Sequence, residues 1–373
     1  MRDLLVAGGG PIGLATAIYA ARAGLDVAVR EPRIGTIDKA CGEGLMPAAV
    51  SALRNLDITL DGHPITGIRY VDPSWSAEAH FRCGDGVGVR RTVLHGALRA
   101  RAAESGIVPV HRPVREVVDR GDHLLVDGEP TRYLLAADGL HSPVRRLLNL
   151  AAPAAHRRRY GLRCHVEIQP WTAFVEVHWS AVGEAYVTPV ADDQVGVAVL
   201  TAERRPLPDL LKEFPLLAAR ITGRVHSRAR GAGPLWQRSL RRVAGRVLLV
   251  GDAAGYVDAI TGEGIALGLA QARAAVAAVA DGHPQRYESE WRRLSRRHNL
   301  LTKSLVLATS FSPVRRRIVH ASATLPMVFE AAVDQLARPA RSAPVWWRSG
   351  CSPCRAAGSG RSNGPSPACS PSS

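Results

Sequence analysis

The chain is 373 residues long, 46% hydrophobic and 22% charged, which fits a globular protein of two or three packed units and excludes disordered, collagen-like and coiled-coil classes. Its formal charge is +15, yet only Lys39, Lys212 and Lys303 are lysines, so arginine supplies all but three of the 48 cations. The arginines lie scattered, with small clusters at 157–159, 296–297 and 315–317, and no nucleic-acid-binding motif goes with them, so no nucleic-acid partner is expected.

Residues 3–7 form an apolar run predicted as a buried strand, followed by a glycine turn. A helix from about Gly13 to Ala23 and a strand over Asp26–Arg30 complete the opening of a βαβ unit. Asp3 and the interrupting glycines argue against a signal peptide in this apolar stretch. A loop rich in Gly and Pro then reaches about Pro47. Strands are predicted within 68–82 around the turn Asp72-Pro73-Ser74, and a helix over Arg91–Ser105, where Leu94, Leu98 and Ala102 share one face. Short strands follow at 117–118, 124–126 and 133–137.

The texture then changes. Tyr160–Ile168, Phe174–Trp179, Glu184–Val190 and Gln194–Leu200 alternate or run apolar between turns, as an antiparallel sheet does, and are expected to carry the substrate surface. Arg246–Val250 returns as a buried strand, a small-residue helix covers about Ile265–Ala280, and 284–335 is predicted helical. Residues 338–373 are dominated by Ser, Pro and Gly and contain no acid; they are expected to be a disordered tail, and the abrupt shift in composition invites the idea of a shifted reading frame. The resulting layout is a nucleotide-binding unit over 1–150 with a small β insertion at about 65–85, a substrate unit over 151–240, the rest of the nucleotide unit over 241–283, a helical region over 284–337, and the tail.

Gly8-Gly9-Gly10-Pro11-Ile12-Gly13 fits G-x-G-x-x-G directly after a strand and before a helix. In that spacing Gly8 permits the tight turn, Gly10 lets backbone approach a pyrophosphate, and Gly13 lets helix and strand pack closely. The helix N-terminus offers unpaired N–H groups to the phosphates. Glu31 ends the second strand, where a carboxylate accepts hydrogen bonds from a ribose diol and argues against a 2′-phosphate. The nucleotide is therefore FAD or NAD.

Two later segments decide between them. Ala137-Asp138-Gly139-Leu140-His141-Ser142-Pro143-Val144-Arg145 matches A-D-G-x-x-S-x-V-R, and Val250-Gly251-Asp252-Ala253-Ala254-Gly255 is followed by Thr261-Gly262-Glu263-Gly264-Ile265. With the glycine loop, these segments resemble those of the group-A flavoprotein monooxygenases and their relatives, the geranylgeranyl-reductase-like flavoproteins, over about residues 1–335. The resemblance implies FAD on an α/β fold: a Rossmann-like domain of the glutathione-reductase type, an inserted antiparallel substrate sheet and C-terminal helices. It also implies that Asp252 accepts from the ribityl hydroxyls, that Asp138 lies near both FAD and a nicotinamide donor, and that Arg91 reaches the phosphate and ribose region. The glycines at 262 and 264, with Ile265 after them, would set a helix N-terminus against the flavin's pyrimidine edge. A turn or helix cap at Asp138 and Asp252, and a solvated helix charge at Arg91, are the competing readings.

The motifs divide over the reaction. Gly255 stands where the hydroxylases usually carry His, and Asp258-Ala259-Ile260 where a Pro is usual. Lys39-Ala40-Cys41-Gly42-Glu43-Gly44-Leu45 resembles the K-x-C-G-G-G-L segment that the reductase branch places near the isoalloxazine, with Glu43 in place of a glycine. Cys41 is then either a flavin-adjacent thiol or a small buried residue. No second G-x-G-x-x-G exists, since Gly84, Gly86 and Gly88 have the wrong spacing, so NAD(P)H is expected as a transient electron donor. The expected reaction is NAD(P)H-dependent hydroxylation of a hydrophobic, aromatic small molecule; the alternative is reduction of polyprenyl or lipid double bonds. No catalytic acid or base is assigned, His165 and His178 being strand residues that a surface position would explain equally well, and Asp258 a weak candidate to face the flavin.

The cysteines form no disulfide framework, and Cys351-Ser-Pro-Cys354 is a metal motif in spelling only, so a reducing, cytoplasmic setting without metal is expected. Arginines at 292–297 and 315–317 accompany Leu300, Leu301, Leu305, Leu307 and Phe311, which leaves a peripheral membrane contact open beside the plainer reading of a solvated helix.

Overall fold

The structure is a computed structural model and describes residues 1–153 and 158–338. Arg157 and the tail with its Cys351–Cys354 pair lie outside the described residues.

The strand Arg2–Ala7 is parallel to Val27–Arg30 on one side and to Glu129–Ala136 on the other, and Glu129–Ala136 is parallel to Val247–Leu249. The register sets Val6 beside Val29 and Leu135, and Leu135 beside Leu248, all fully buried. Such unbroken apolar runs are what a parallel sheet covered on both faces requires. One face takes α1 (Pro11–Arg22), with Leu14 and Ile18 in one buried cluster with Leu4 and Val6, and α2 (Pro47–Arg54) and α3 (Arg91–Glu104) join that cluster through Leu53 and Leu98. Pro11 occupies the first turn of α1, where a missing N–H costs nothing. The other face takes the hairpin of Val117–Asp119 and Leu124–Val126 together with α4 (Pro143–Leu147).

The second sheet orders its strands Arg230–Ala232, Tyr160–Glu167, Gln194–Thr201, Gly183–Ala191, Phe174–Ser180, Gly67–Val71 and Ser76–His80. The four expected strands at its centre are antiparallel, but Gly67–Val71 joins Phe174–Ser180 in parallel. The hairpin around Asp72-Pro73-Ser74 thus forms the far edge of this sheet rather than an appendage of the first. On one face lie two helices that the sequence pattern did not reveal, α5 (Leu207–Leu211) and α6 (Pro215–Ile221), with Leu210, Phe214 and Leu217 on Val166, Val197 and Val199. Neither helix is long enough to show an amphipathic period.

A small sheet of Gly44–Leu45, Gly86–Gly88 and His63–Ile65 was likewise unexpected. It lies directly on the second sheet: a Cβ at Gly88 would sit 1.7 Å from the Pro189 carbonyl oxygen. The chain then returns through α7 (Gly264–Ala280), whose Leu269, Ala272 and Val276 join the α1 core. Finally α8 (Arg286–Thr309), α9 (Ser312–Thr324) and α10 (Pro326–Ala337) cover the other face of the second sheet, with Val306 and Val319 on Val177 and Trp179. No helix among the described residues is long and apolar enough to cross a membrane.

The short helices are essential to the second sheet if burial governs stability. Phe214, 2% exposed, is expected to cost about 3–5 kcal/mol when cut to Ala. A urea-unfolding midpoint within error of the parent chain would show that α6 does not pack as described.

Candidate functional site

The glycine loop is shaped by contacts that admit no side chain. A Cβ at Gly13 would lie 1.8 Å from the Gly8 carbonyl oxygen, whereas one at Gly10 would meet nothing within 4 Å. The first glycine is required by packing, the second by whatever occupies the open space beside it. Glu31, buried at the end of its strand, accepts from Gly9 N at 2.8 Å and from Arg33 N at 3.0 Å and Nε at 2.7 Å. Burial pushes this carboxyl up, but those hydrogen bonds outweigh it and hold it below the usual range. Glu31 therefore braces the turn.

His95 of α3 went unnoticed in the sequence. Its Nε2 donates to the Gly9 carbonyl at 2.9 Å and its Nδ1 accepts from Ile37 N at 3.3 Å. Burial lowers its pKa. Nothing local announces this role, because the bond to Gly9 spans 86 residues of chain.

The later segments meet at the C-terminal ends of the same parallel strands. Asp138 Oδ2 accepts from Val144 N at 3.0 Å in the first turn of α4, whose N-cap is Ser142, while its Oδ1 is buried without a partner among the described residues. Burial raises its pKa. Arg145 binds the two segments together, donating to the carbonyls of Leu140 at 2.8 Å and Ala253 at 2.9 Å. The Asp252 carboxylate makes no hydrogen bond among the described residues; burial raises its pKa against the opposing charges of Arg91, Lys39 and Arg145. Ile12 fills the space at Gly251 and Gly268, and Gly251 N donates to Gln271 Oε1 at 3.0 Å. Gly262 is exposed at φ 68°, Gly264 begins α7, and Ile265 is half-buried on its first turn. A narrow cleft runs between Asp252, Tyr256 and Gly264 on one side and Trp291 and His298 on the other.

The segment Asp38–Glu43 is fastened to the second sheet. Thr188 Oγ1 donates to the Gly42 carbonyl at 2.8 Å. Glu43 adopts φ 60°, the left-handed conformation suited to the glycine of the reductase pattern, and turns its carboxylate inward. One oxygen accepts from Arg91 N at 2.8 Å and the other from His165 Nε2 at 2.7 Å. Arg163 donates to His165 Nδ1 at 3.2 Å and pairs with Asp38. His165 is therefore no surface residue, and neither is His178, which is buried beside Glu176 at 3.2 Å. Burial pushes Glu176 up, but hydrogen bonds from His178, Trp171 and Arg69 bring it down to about 2. Cys41 is half-buried, with Glu43 N 3.5 Å from its Sγ. Asp258 is buried too, 3.5 Å from Arg159, which also pairs with Glu184.

Open space at Gly10, an α1 N-terminus behind it, a partnerless Arg91 Nε and Asp138 Oδ1, and an Asp252 carboxylate without a donor are the complement of phosphates and sugar hydroxyls. These residues fit an adenine dinucleotide with a ribityl chain. Among the described residues no three of His, Cys, Asp and Glu converge as metal ligands.

No protein-family model matches the chain. It is 30% identical to a menaquinone reductase of Mycolicibacterium smegmatis over 84% of this chain and 83% of that protein. It is 29% identical to digeranylgeranylglycerophospholipid reductase 1 of Methanothermobacter thermautotrophicus, over 79% and 82%. A 3-hydroxy-4-methyl-anthranilyl-[aryl-carrier protein] 5-monooxygenase of Streptosporangium sibiricum is 31% identical over 73% and 77%. Among solved structures, the flavin-dependent brominase Bmp2 superposes with a TM-score of 0.74 at 15% identity, covering 90% of this chain and 93% of that one, a likeness of fold. The chain belongs to the superfamily of FAD-dependent oxidoreductases that includes the geranylgeranyl-reductase-like flavoproteins and the flavin monooxygenases.

The buried polar contacts make two outcomes measurable. Because His95 takes up a proton less readily when folded than at its ordinary value near 6.5, the unfolded chain protonates first on acidification. Its contribution is complete above that value and is lost as pH falls through it; urea midpoints from about pH 8 to about pH 5.5 should slope, and His95→Gln should flatten the slope. Glu43→Gly keeps the backbone conformation but strips the buried His165 and Arg163 of an acceptor, so a loss of about 3–5 kcal/mol is expected, with Glu43→Gln recovering part of it. Equal stability of all three chains would show the array to be idle.

Proposed function

We propose that the chain is an FAD-dependent reductase that adds hydrogen across a carbon–carbon double bond of a hydrophobic isoprenoid lipid. The observation that carries this reading is the Lys39–Leu45 segment: its Glu43 takes up the glycine conformation of the reductase pattern and is anchored under the second sheet. Gly255 in place of the hydroxylase His, and the names of the menaquinone and digeranylgeranylglycerophospholipid relatives, support the same reading.

When bound, FAD supplies two-electron chemistry, taking electrons from a donor and passing them to substrate. The chain's contribution is position and charge. Gly10 and the α1 N-terminus bind the pyrophosphate, Glu31 the ribose diol, Arg91 the adjoining phosphate and Asp252 the ribityl hydroxyls. The N-terminus of α7 at Gly264 presents backbone N–H groups that would face a bound flavin ring and favour negative charge there. The second sheet and α8 exclude water. NAD(P)H serves as a transient donor docking on this same domain, as suits a chain with one dinucleotide motif. A second reading, hydroxylation of an aromatic substrate, is favoured by the anthranilyl monooxygenase relative.

Two measurements bear on these proposals. Arg91→Ala and Asp252→Asn should each weaken FAD binding about tenfold to a hundredfold in a fluorescence titration, since a hydrogen bond to a charged group contributes about 1.5–3 kcal/mol; unchanged affinity would remove these residues from the site. FAD-loaded protein given NADPH without oxygen should convert a geranylgeranyl lipid or a prenylated quinone to a product bearing two more hydrogens. Failure on every isoprenoid, together with label transfer from isotopic dioxygen into a phenol, would replace reduction by hydroxylation.

A further inference from the structure

From Trp291 to Phe329 the chain has no acidic residue and carries eight cations. The stretch comprises most of α8, all of α9 and the first turn of α10. Burial divides α8 lengthwise: Ser295, His298, Thr302, Val306 and Thr309 face the protein. On the outward side, in steps of three and four, come Arg296, Leu300, Lys303, Leu307 and Phe311, all exposed. A merely solvated face would be polar here, yet Leu300 is 66% and Phe311 54% exposed.

The pattern continues beyond α8. Arg316 and Arg317 are exposed on α9 one turn before His320, which meets the exposed Trp75 edge-on at 4.6 Å from the tip of the second sheet's outer hairpin. At the corner between α9 and α10 stand Leu325, Met327 and Val328, with Met327 82% exposed. Arg296, Lys303, Arg316 and Arg317 pair with no carboxylate among the described residues.

We propose that this α8–α10 face docks the protein peripherally on an anionic lipid bilayer. Long cationic side chains beside protruding Leu, Phe and Met match a surface that is negative at its headgroups and apolar just beneath. The apolar residues protrude from helix surfaces and a helix corner instead of lining a groove, which suits a bilayer better than the pocket-and-anchor geometry of a protein partner. The surface is independent of the reaction proposed above.

The test uses the full-length, FAD-loaded protein and vesicles of phosphatidylcholine with or without phosphatidylglycerol. Co-sedimentation should be at least tenfold tighter with the anionic vesicles at about 0.05 M salt, and the preference should shrink at about 0.5 M, where screening shortens the range of exposed charges. The variant R296E/K303E/R316E/R317E should lose at least tenfold in binding, and Met327→Ser with Val328→Ser should weaken it while the flavin absorbance spectrum stays that of the parent. Equal partition into neutral and anionic vesicles would overturn the proposal. So would parental binding by the charge-reversed variant, which would move the contact to the tail, or dissociation of a dimer by the Met327 and Val328 changes, which would make the face a contact between copies.

Discussion

A buried carboxylate must be given partners, and Glu43 is the residue on which that requirement falls most heavily here. Its backbone is held at φ 60°, and its buried side chain lies between the second sheet and the start of α3. There it receives the backbone N–H of Arg91 from one side and His165 from the other. The first bond fixes the start of α3. One turn later the same helix face carries His95 onto the Gly9 carbonyl, and Gly9 N in turn binds Glu31. A single acid thus aligns the Asp38–Glu43 segment, the helix that bears Arg91, and the glycine turn.

Around that alignment the site is built from acids and arginines taken largely out of water. Asp138 and Asp252 have raised pKa values because burial is not fully offset by hydrogen bonds, whereas Glu31 and Glu176 are lowered because it is. Among the described residues Arg91 Nε and Asp138 Oδ1 lie unpaired on the dinucleotide side, as do Arg163 Nε and Trp179 Nε1 on the second sheet, where Arg159 pairs with Glu184. The face of the second sheet toward α8 and α9 is closed by apolar packing, Val177 and Trp179 lying in one buried cluster with Ile260, Val306 and Val319.

The motifs that name the cofactor are local, and the features that bear on the reaction are not. G-x-G-x-x-G, the Asp138 and Asp252 segments and the acid at 31 each operate within one turn or one strand-to-helix junction, so their spacing carries their meaning. Replacing the pattern's glycine with Glu43 looked like a departure from the reductase branch. In the fold it is a departure in side chain alone, with the glycine's backbone conformation kept and the new carboxylate absorbed by His165, 122 residues away.

The sequence by itself determined the parallel strands at Arg2–Ala7, Val27–Arg30 and Val247–Leu249, the helices α1, α3 and α7, and the four central strands of the second sheet. Each has a run or period long enough to express burial on one face or two. Only the tertiary structure decided that the 67–80 hairpin joins the second sheet, that α5 and α6 cover it, that His165 and His178 are buried, and that His95 holds the glycine loop. These depend on contacts between residues far apart in the chain. A short helix or a lone histidine carries no periodicity from which such a partner could be inferred.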